Sequence, residues 1–287
     1  MDLVRTVVVT GATSGLGRAT AALLAATPGR RVLLAVRDAD RGAAVARELG
    51  PATSVVGLDL ASLASVRAAA DEIARDCAPV DALVLNAGVQ TTRADRVSAD
   101  GHELTFAVNH LAHFLLTERL RPALAPDARI VVVSSGTHWG TLRKSGPFPA
   151  PRWQDPHLLA RPRAGSGQRA YATSKLANVY FAYEAARRYP GVAVAVFDPG
   201  LMPATGLARS YPAPARAAYT ALAPLLTRLL PFAQDPGTAA EQLAALVTGP
   251  AGTSGYVEQG RPAPSSPESY DLDRARELWE VSADLVA

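Results

Sequence analysis

The chain has little cysteine, lysine, aromatic side chain or net charge, and each shortage closes off some chemistry. A single Cys77 in 287 residues excludes an internal disulfide, a zinc knuckle and a CxxC redox pair. It ends an apolar helical pattern and reads as a small core filler. The 29 basic residues barely exceed the 26 acidic ones and are scattered, whereas a nucleic-acid partner would require a basic run or stripe. No apolar run reaches the roughly 18 residues of a membrane span, because Ala221 to Phe232 is cut by Pro224, Arg228 and Pro231. The strand-like run Val4 to Thr10 begins too near Met1 for a secretory leader, so no membrane anchor and a cytoplasmic location are expected. Only Lys144 and Lys175 are lysines, so a motif built on one carries extra weight.

What is present is an ordinary globular composition, 48% hydrophobic with 22 Gly and 22 Pro. Short β-branched runs alternate with Ala/Leu/Arg stretches of helical period, the pattern of βαβ units forming a parallel sheet. Strands are predicted at Val4 to Thr10, Arg31 to Val36, Thr53 to Leu58, Asp81 to Leu85, Arg129 to Ser134, Val192 to Phe197 and Gly255 to Glu258. Helices are predicted at Gly15 to Ala26, Ala39 to Leu49, Leu63 to Cys77, Gly101 to Leu124, Gln168 to Tyr189, Thr238 to Thr248 and Asp271 to Leu285. Several strands are apolar on both faces, so the fold class is α/β, a doubly wound parallel sheet covered by helices on each side. Residues 1–287 are expected to form one domain. Two stretches break the rhythm, 136–167 and 201–235; both follow strand C-termini and read as an insertion and a lid beside a pocket.

The first strand runs into a glycine turn and a helix, Thr10-Gly11-Ala12-Thr13-Ser14-Gly15-Leu16-Gly17. Gly11 permits the turn, Gly15 lets the backbone approach a pyrophosphate and Gly17 packs helix against strand, while the helix N-terminus offers free N–H groups. At the end of the second strand Arg37 stands where a ribose 2′-phosphate would sit. With Ser14 it favours NADP(H) over NAD(H); the neighbouring Asp38 either favours NAD(H) through the ribose or neutralises Arg37, or, more in keeping with the helix that follows, caps it. Asp59-Leu60 and Asn86-Ala87-Gly88 end the next two strands on the same edge. Asp59 suits the adenine amino group, Asn86 suits a tie between strands, and Gly88 leaves room for a ribose.

On the helix from Gln168, Tyr171 and Lys175 lie one turn apart on one face. A phenol is a poor acid or base near pH 7, and an ammonium beside it is expected to lower its pKa. Ser134-Ser135 end the fifth strand, where either hydroxyl can hold the same substrate oxygen. Asn109 interrupts an apolar helix against propensity, either as a bonded core amide or as a kink relaying protons towards Lys175. His110 and His113 have no acid at metal-ligand spacing and read as structural, and no metal is expected. Trp139, Phe148 and Trp153 either line the pocket or anchor the insertion.

These elements together resemble the classical short-chain dehydrogenases/reductases: TGATSGLG at Thr10 to Gly17, NAG at Asn86 to Gly88, Asn109, a strand-end serine, YATSK at Tyr171 to Lys175 and DPG at Asp198 to Gly200. AVRD, NHLAHFLLT and YATSKLAN are similar to the retinol dehydrogenase and protochlorophyllide reductase branch. The resemblance implies a Rossmann-like fold with a catalytic tetrad of Asn109, Ser135, Tyr171 and Lys175. Tyr171 is then the general acid/base, Ser135 orients the substrate oxygen, and Lys175 holds the nicotinamide ribose. It also implies cofactor contacts from Pro199, Gly200 and, one position later than usual, Thr205, and a homo-oligomer built on the Asn109 and Tyr171 helices. Substrate contacts are expected from Ser135, Trp139, Tyr171, Leu201 and Met202. The expected reaction is NADP(H)-dependent interconversion of a carbonyl and an alcohol on a fairly large, apolar small molecule. C=C reduction, redox-neutral chemistry and a non-catalytic NADP(H) sensor remain as alternatives.

Overall fold

A computed structural model of the chain describes residues 4–202, 230, 232–249 and 254–287. Its framework is one eight-stranded sheet in the order β3-β2-β1-β4-β5-β6-β7-β8. The strands are β1 Arg5–Thr10, β2 Arg30–Val36, β3 Thr53–Gly57, β4 Val80–Leu85, β5 Leu124–Val133, β6 Ala193–Asp198, β7 Gly255–Glu258 and β8 Arg261–Pro262. The first seven run parallel and only β7–β8 is antiparallel.

The strands are apolar throughout because both faces are covered, and alternate residues feed two cores. Val8, Leu83, Leu85, Ile130 and Val132 join a cluster with the Leu63–Cys77 and Gly167–Arg188 helices. Val7, Val9, Val84, Val131 and Val133 join the opposite cluster, under the Gly15–Ala25 and Pro236–Thr248 helices. Each such side chain, at or near full burial, contributes about 1.5–3 kcal/mol. The helices start where short polar side chains cap them: Asp38 accepts from Arg41 N–H at 3.0 Å, and Ser166 accepts from Arg169 N–H at 3.3 Å. Among the described residues no helix is long and apolar enough to cross a membrane.

The fold departs from the sequence expectation in two places that matter. β5 starts at Leu124 rather than Arg129, because Leu124 pairs with Val80 across a register shift. The helix expected over Gly101 to Leu124 is shorter and irregular: Leu104–Phe106, a π turn at Ala107–Leu111 that holds Asn109, then Ala112–Leu120.

The C-terminal helix Leu272–Leu285 packs on the Asn109 and Tyr171 helices. Trp279 meets Phe114 edge-on at 5.0 Å and stacks on Phe181 at 5.8 Å between ring centroids, and Ser282 Oγ lies 2.8 Å from His110 Nε2.

Candidate active site

The C-terminal ends of β1, β4, β5 and β6 share one edge of the sheet, at the crevice where strand order reverses. At the β1 end the backbone is crowded. A Cβ on Gly11, whose φ is +70°, would lie 2.9 Å from Ala87 Cα, and one on Gly17 would lie 2.5 Å from Gly11 O. Asn86 Nδ2–H donates to Thr10 C=O at 2.8 Å, while Asn86 and Ala87 N–H both donate to Thr10 Oγ1 at 3.0 Å. The strand tie expected of Asn86 is present. Leu16 points into the core and leaves only its backbone to the turn. Thr13 and Ser14 are half-buried on it, and the helix that follows has no acidic residue in its first turn.

Arg37 is exposed at the end of β2, and Asp38 is committed to capping the next helix. Asp59 Oδ1 accepts from Ala61 N–H at 3.0 Å, and Leu60 is buried in the core. Gly88 is exposed; a Cβ there would lie 3.3 Å from Asn109 Oδ1 and 3.7 Å from Lys175 Nζ. Its lack of a side chain thus clears a gap in front of both.

Tyr171, Ser135, Lys175 and Asn109 converge at the ends of β4 and β5. Tyr171 and Lys175 are buried, and the Lys175 ammonium sits 5.5 Å from the Tyr171 ring centroid while donating to Val133 C=O at 3.0 Å. The two serines are divided in use. Ser134 is buried and donates to Lys175 C=O at 2.9 Å, which ties β5 to the helix. Ser135 is less buried, caps the turn Gly136–Trp139 through Thr137 N–H, and its hydroxyl acts on the Tyr171 phenol in the sense of lowering its pKa.

Asn109 does not reach Lys175 through its side chain. Its amide accepts from Val89 N–H at 2.8 Å and donates to Val89 C=O at 3.0 Å and Ser174 Oγ at 2.9 Å. It is a fully bonded core amide that fixes the loop after β4 to the Tyr171 helix, and it does so from within the π turn.

One electrostatic expectation is overturned. The net shift of Tyr171 is upward: burial outweighs the neighbouring ammonium and raises the phenol, with Asp198 adding to the rise and Ser135 opposing it. Burial also pushes Lys175 down to about 8, against the pull of Asp198. Spacing along a helix shows that two groups meet, but not how much water both have lost.

The sequence reading named Asp198 and His113 but not the partners they are buried with, and it gave no role to His138. Asp198 accepts from Gly200 N–H at 2.8 Å and from Tyr256 Oη–H at 2.6 Å, shaping the Pro199-Gly200 turn. His138 Nδ1–H donates to Ser135 C=O at 2.7 Å, and its Nε2 accepts from Ser266 N–H at 3.1 Å. His113 lies 3.2 Å from Asn109 C=O through Nδ1 and 3.1 Å from Thr10 Oγ1 through Nε2. Because a carbonyl only accepts, Nδ1 carries the proton in each ring. The only advance signal was polar residues in otherwise apolar segments.

On the substrate side the expectations separate. Trp153 packs edge-on against Tyr180 at 4.7 Å and serves as an anchor. Trp139 lies under the Lys144 ammonium at 5.5 Å. Leu201 is bridged to Ala233, and Met202 is buried in the core cluster of Val133 and Phe197 rather than facing outward. Thr205 and most of the expected lid lie outside the described residues.

Comparison with known proteins decides what this arrangement belongs to. A family model described as short chain dehydrogenase matches residues 5–142. A Streptomyces sp. (strain C5) protein assigned as a daunorubicin C-13 ketoreductase is 37% identical, covering 98% of this chain and 92% of its own. The chain belongs to the short-chain dehydrogenase/reductase family. The chloroplastic protochlorophyllide reductase of Pisum sativum is 34% identical over 98% of this chain and 77% of its own. The crystal structure of an uncharacterised protein from Mycobacterium paratuberculosis superposes with a TM-score of 0.75 at 32% identity, covering 99% of this chain and 94% of that one. As a family member the protein is an oxidoreductase that uses a nicotinamide cofactor and acts on C=O or CH–OH groups.

Proposed function

We propose that the protein is an NADP(H)-dependent ketoreductase that interconverts a ketone and a secondary alcohol on a fairly large, apolar small molecule. The observation that carries this reading is the buried Tyr171 phenol with the Lys175 ammonium 5.5 Å from its ring centroid. The chain's residues fit the cofactor. The crowded Gly11–Gly17 turn and an acid-free helix N-terminus suit a pyrophosphate. Asn86, Ala87, exposed Gly88 and Lys175 suit the nicotinamide ribose, Asp59 the adenine end, and Pro199 and Gly200 the nicotinamide. Exposed Arg37, free of Asp38, supports a 2′-phosphate with Ser14.

When bound, the nicotinamide supplies the hydride. Ser135 and Tyr171 would then orient the carbonyl oxygen. Tyr171, which burial keeps protonated, would give its proton to that oxygen as negative charge develops. Lys175, fixed on Val133 C=O, would stabilise the phenolate left behind. Asn109 would hold the site together by joining the Val89 loop to the Tyr171 helix. Trp139 and Leu201 remain candidates for the substrate wall. A homo-oligomer built on the Asn109 and Tyr171 helices belongs to the same reading, on the strength of the family resemblance. The relative assigned as a ketoreductase supports the choice of carbonyl chemistry, and the intact Tyr171 and Lys175 argue against a cofactor sensor.

The test is NADPH consumption with a panel of aryl ketones, diketones and quinones, with NADH as control. Wild type should turn over with NADPH, Tyr171→Phe should lose about 10²–10⁴-fold in kcat, and Arg37→Ala should raise KM for NADPH without changing it for NADH. Turnover that survives Tyr171→Phe would overturn the mechanism.

A further inference from the structure

Between β5 and the Tyr171 helix the inserted segment forms an arch tied down at both feet. On the β5 side, Ser145 Oγ donates to Gly136 C=O at 3.0 Å. Beside it, Lys144 Nζ reaches both carboxylate oxygens of Glu258, at the end of β7, at 2.6 Å each. On the helix side, Arg152 N–H donates to Thr173 Oγ1 at 3.0 Å, and Trp153 is seated on Tyr180. Gly136 directly follows Ser135, and Thr173 lies two residues beyond Tyr171. Both feet therefore stand beside the residues proposed to hold the substrate oxygen.

Phe148 lies between the feet. Its ring centroid is 6.2 Å from that of Tyr171, with the planes inclined by 47°. Phe148 is half-buried and belongs to neither core cluster. An apolar ring held beside a buried phenol, on an arch fixed at each end, is not explained by core packing.

We infer that Phe148 is a specificity-determining residue, presenting an aromatic surface to substrates whose reacting carbonyl is joined to a planar aromatic ring system. The inference rests on the carbonyl-reducing reading of the site. In an aryl ketone the ring lies close to the carbonyl plane, so an oxygen held by Tyr171 and Ser135 sets the ring within reach of a neighbour of Tyr171. Aromatic pairs with centroids about 4.5–7 Å apart gain attraction beyond buried area, enough for up to about tenfold in binding. A puckered ring of the same size gains only the area.

Acetophenone and cyclohexyl methyl ketone share a carbon skeleton and differ in that property. Phe148→Leu should lower kcat/KM for acetophenone about tenfold, leave cyclohexyl methyl ketone within about twofold, and leave KM for NADPH unchanged. Equal losses on both ketones, or no loss on either, would overturn the assignment. Should wild type turn over neither, calorimetric binding of 2-acetonaphthone in the presence of NADP⁺ decides instead. Weaker binding by Phe148→Leu than by wild type supports the aromatic subsite, and equal binding removes it. Failure of the reductase reading is seen separately, in the Tyr171→Phe turnover test.

Discussion

The two halves of the site are built by different means. At the β1–β4 end the structure depends on backbone proximity: Gly11 against Ala87, Gly17 against Gly11, and Thr10 and Asn86 stitching two strand ends. At the β5–β6 end it depends on buried titratable side chains, namely Tyr171, Lys175, Asp198, His138 and, behind them, His113. The first half needs shape and loses function when atoms are added. The second needs particular protonation states and loses function when pH or a partner changes.

Adding a methyl group to the first half should therefore have the largest effect. In Gly17→Ala the new Cβ would lie 2.5 Å from Gly11 O and 2.4 Å from Asn86 Nδ2, and backbone cannot yield as a flexible side chain can. Cofactor binding, read by NADPH fluorescence, should weaken by more than about 100-fold, equivalent to about 3 kcal/mol. Binding within about threefold of wild type would show that this turn is not rigid.

The contrast also explains what was legible in the sequence. Glycine positions announce a backbone need directly, so the turn at Gly11 to Gly17 could be read residue by residue. The strands were legible because Val7 to Val9 or Val131 to Val133 have one reason to be apolar on both faces. Buried polar ties were not legible, because each joins elements far apart in the chain: His113 to Thr10, His138 to Ser266, Asp198 to Tyr256. The sign of the Tyr171 shift was missed for a related reason, since desolvation depends on everything packed around a side chain.

The buried histidines give the next largest effect, in stability. His110 is pushed down to about 3 and His113 to about 4, both chiefly by burial. Unfolded histidine titrates near 6.5, so between about pH 6.5 and 4 the unfolded chain takes up protons that the folded chain refuses. Stability is full above about 6.5 and falls with acidification by about 1.4 kcal/mol per pH unit for each ring. His113→Leu should be less stable at pH 7, because Thr10 and Asn109 lose a partner. Its urea midpoint should also fall less steeply between pH 6.5 and 5.5, and an unchanged slope would mean that His113 is protonated in the fold.

The smallest effect concerns the rate and follows from Lys175. Its pKa is pushed down to about 8 by burial, so its ammonium is present below that pH and is lost progressively above it, while the raised Tyr171 phenol keeps its proton. For ketone reduction, kcat/KM should be level below about pH 8 and should decline above it, by up to tenfold per unit. Asp198 holds Lys175 up, so Asp198→Asn should move that limb to lower pH, with one of the two oxygens that accept from Gly200 N–H and Tyr256 Oη–H replaced by an amide NH2. Lys175→Arg, whose charge does not titrate in this range, should abolish the limb at some cost in kcat. A limb that stays in place in Lys175→Arg would assign it to another group, and the backbone-built half would then be the only half whose requirements are understood.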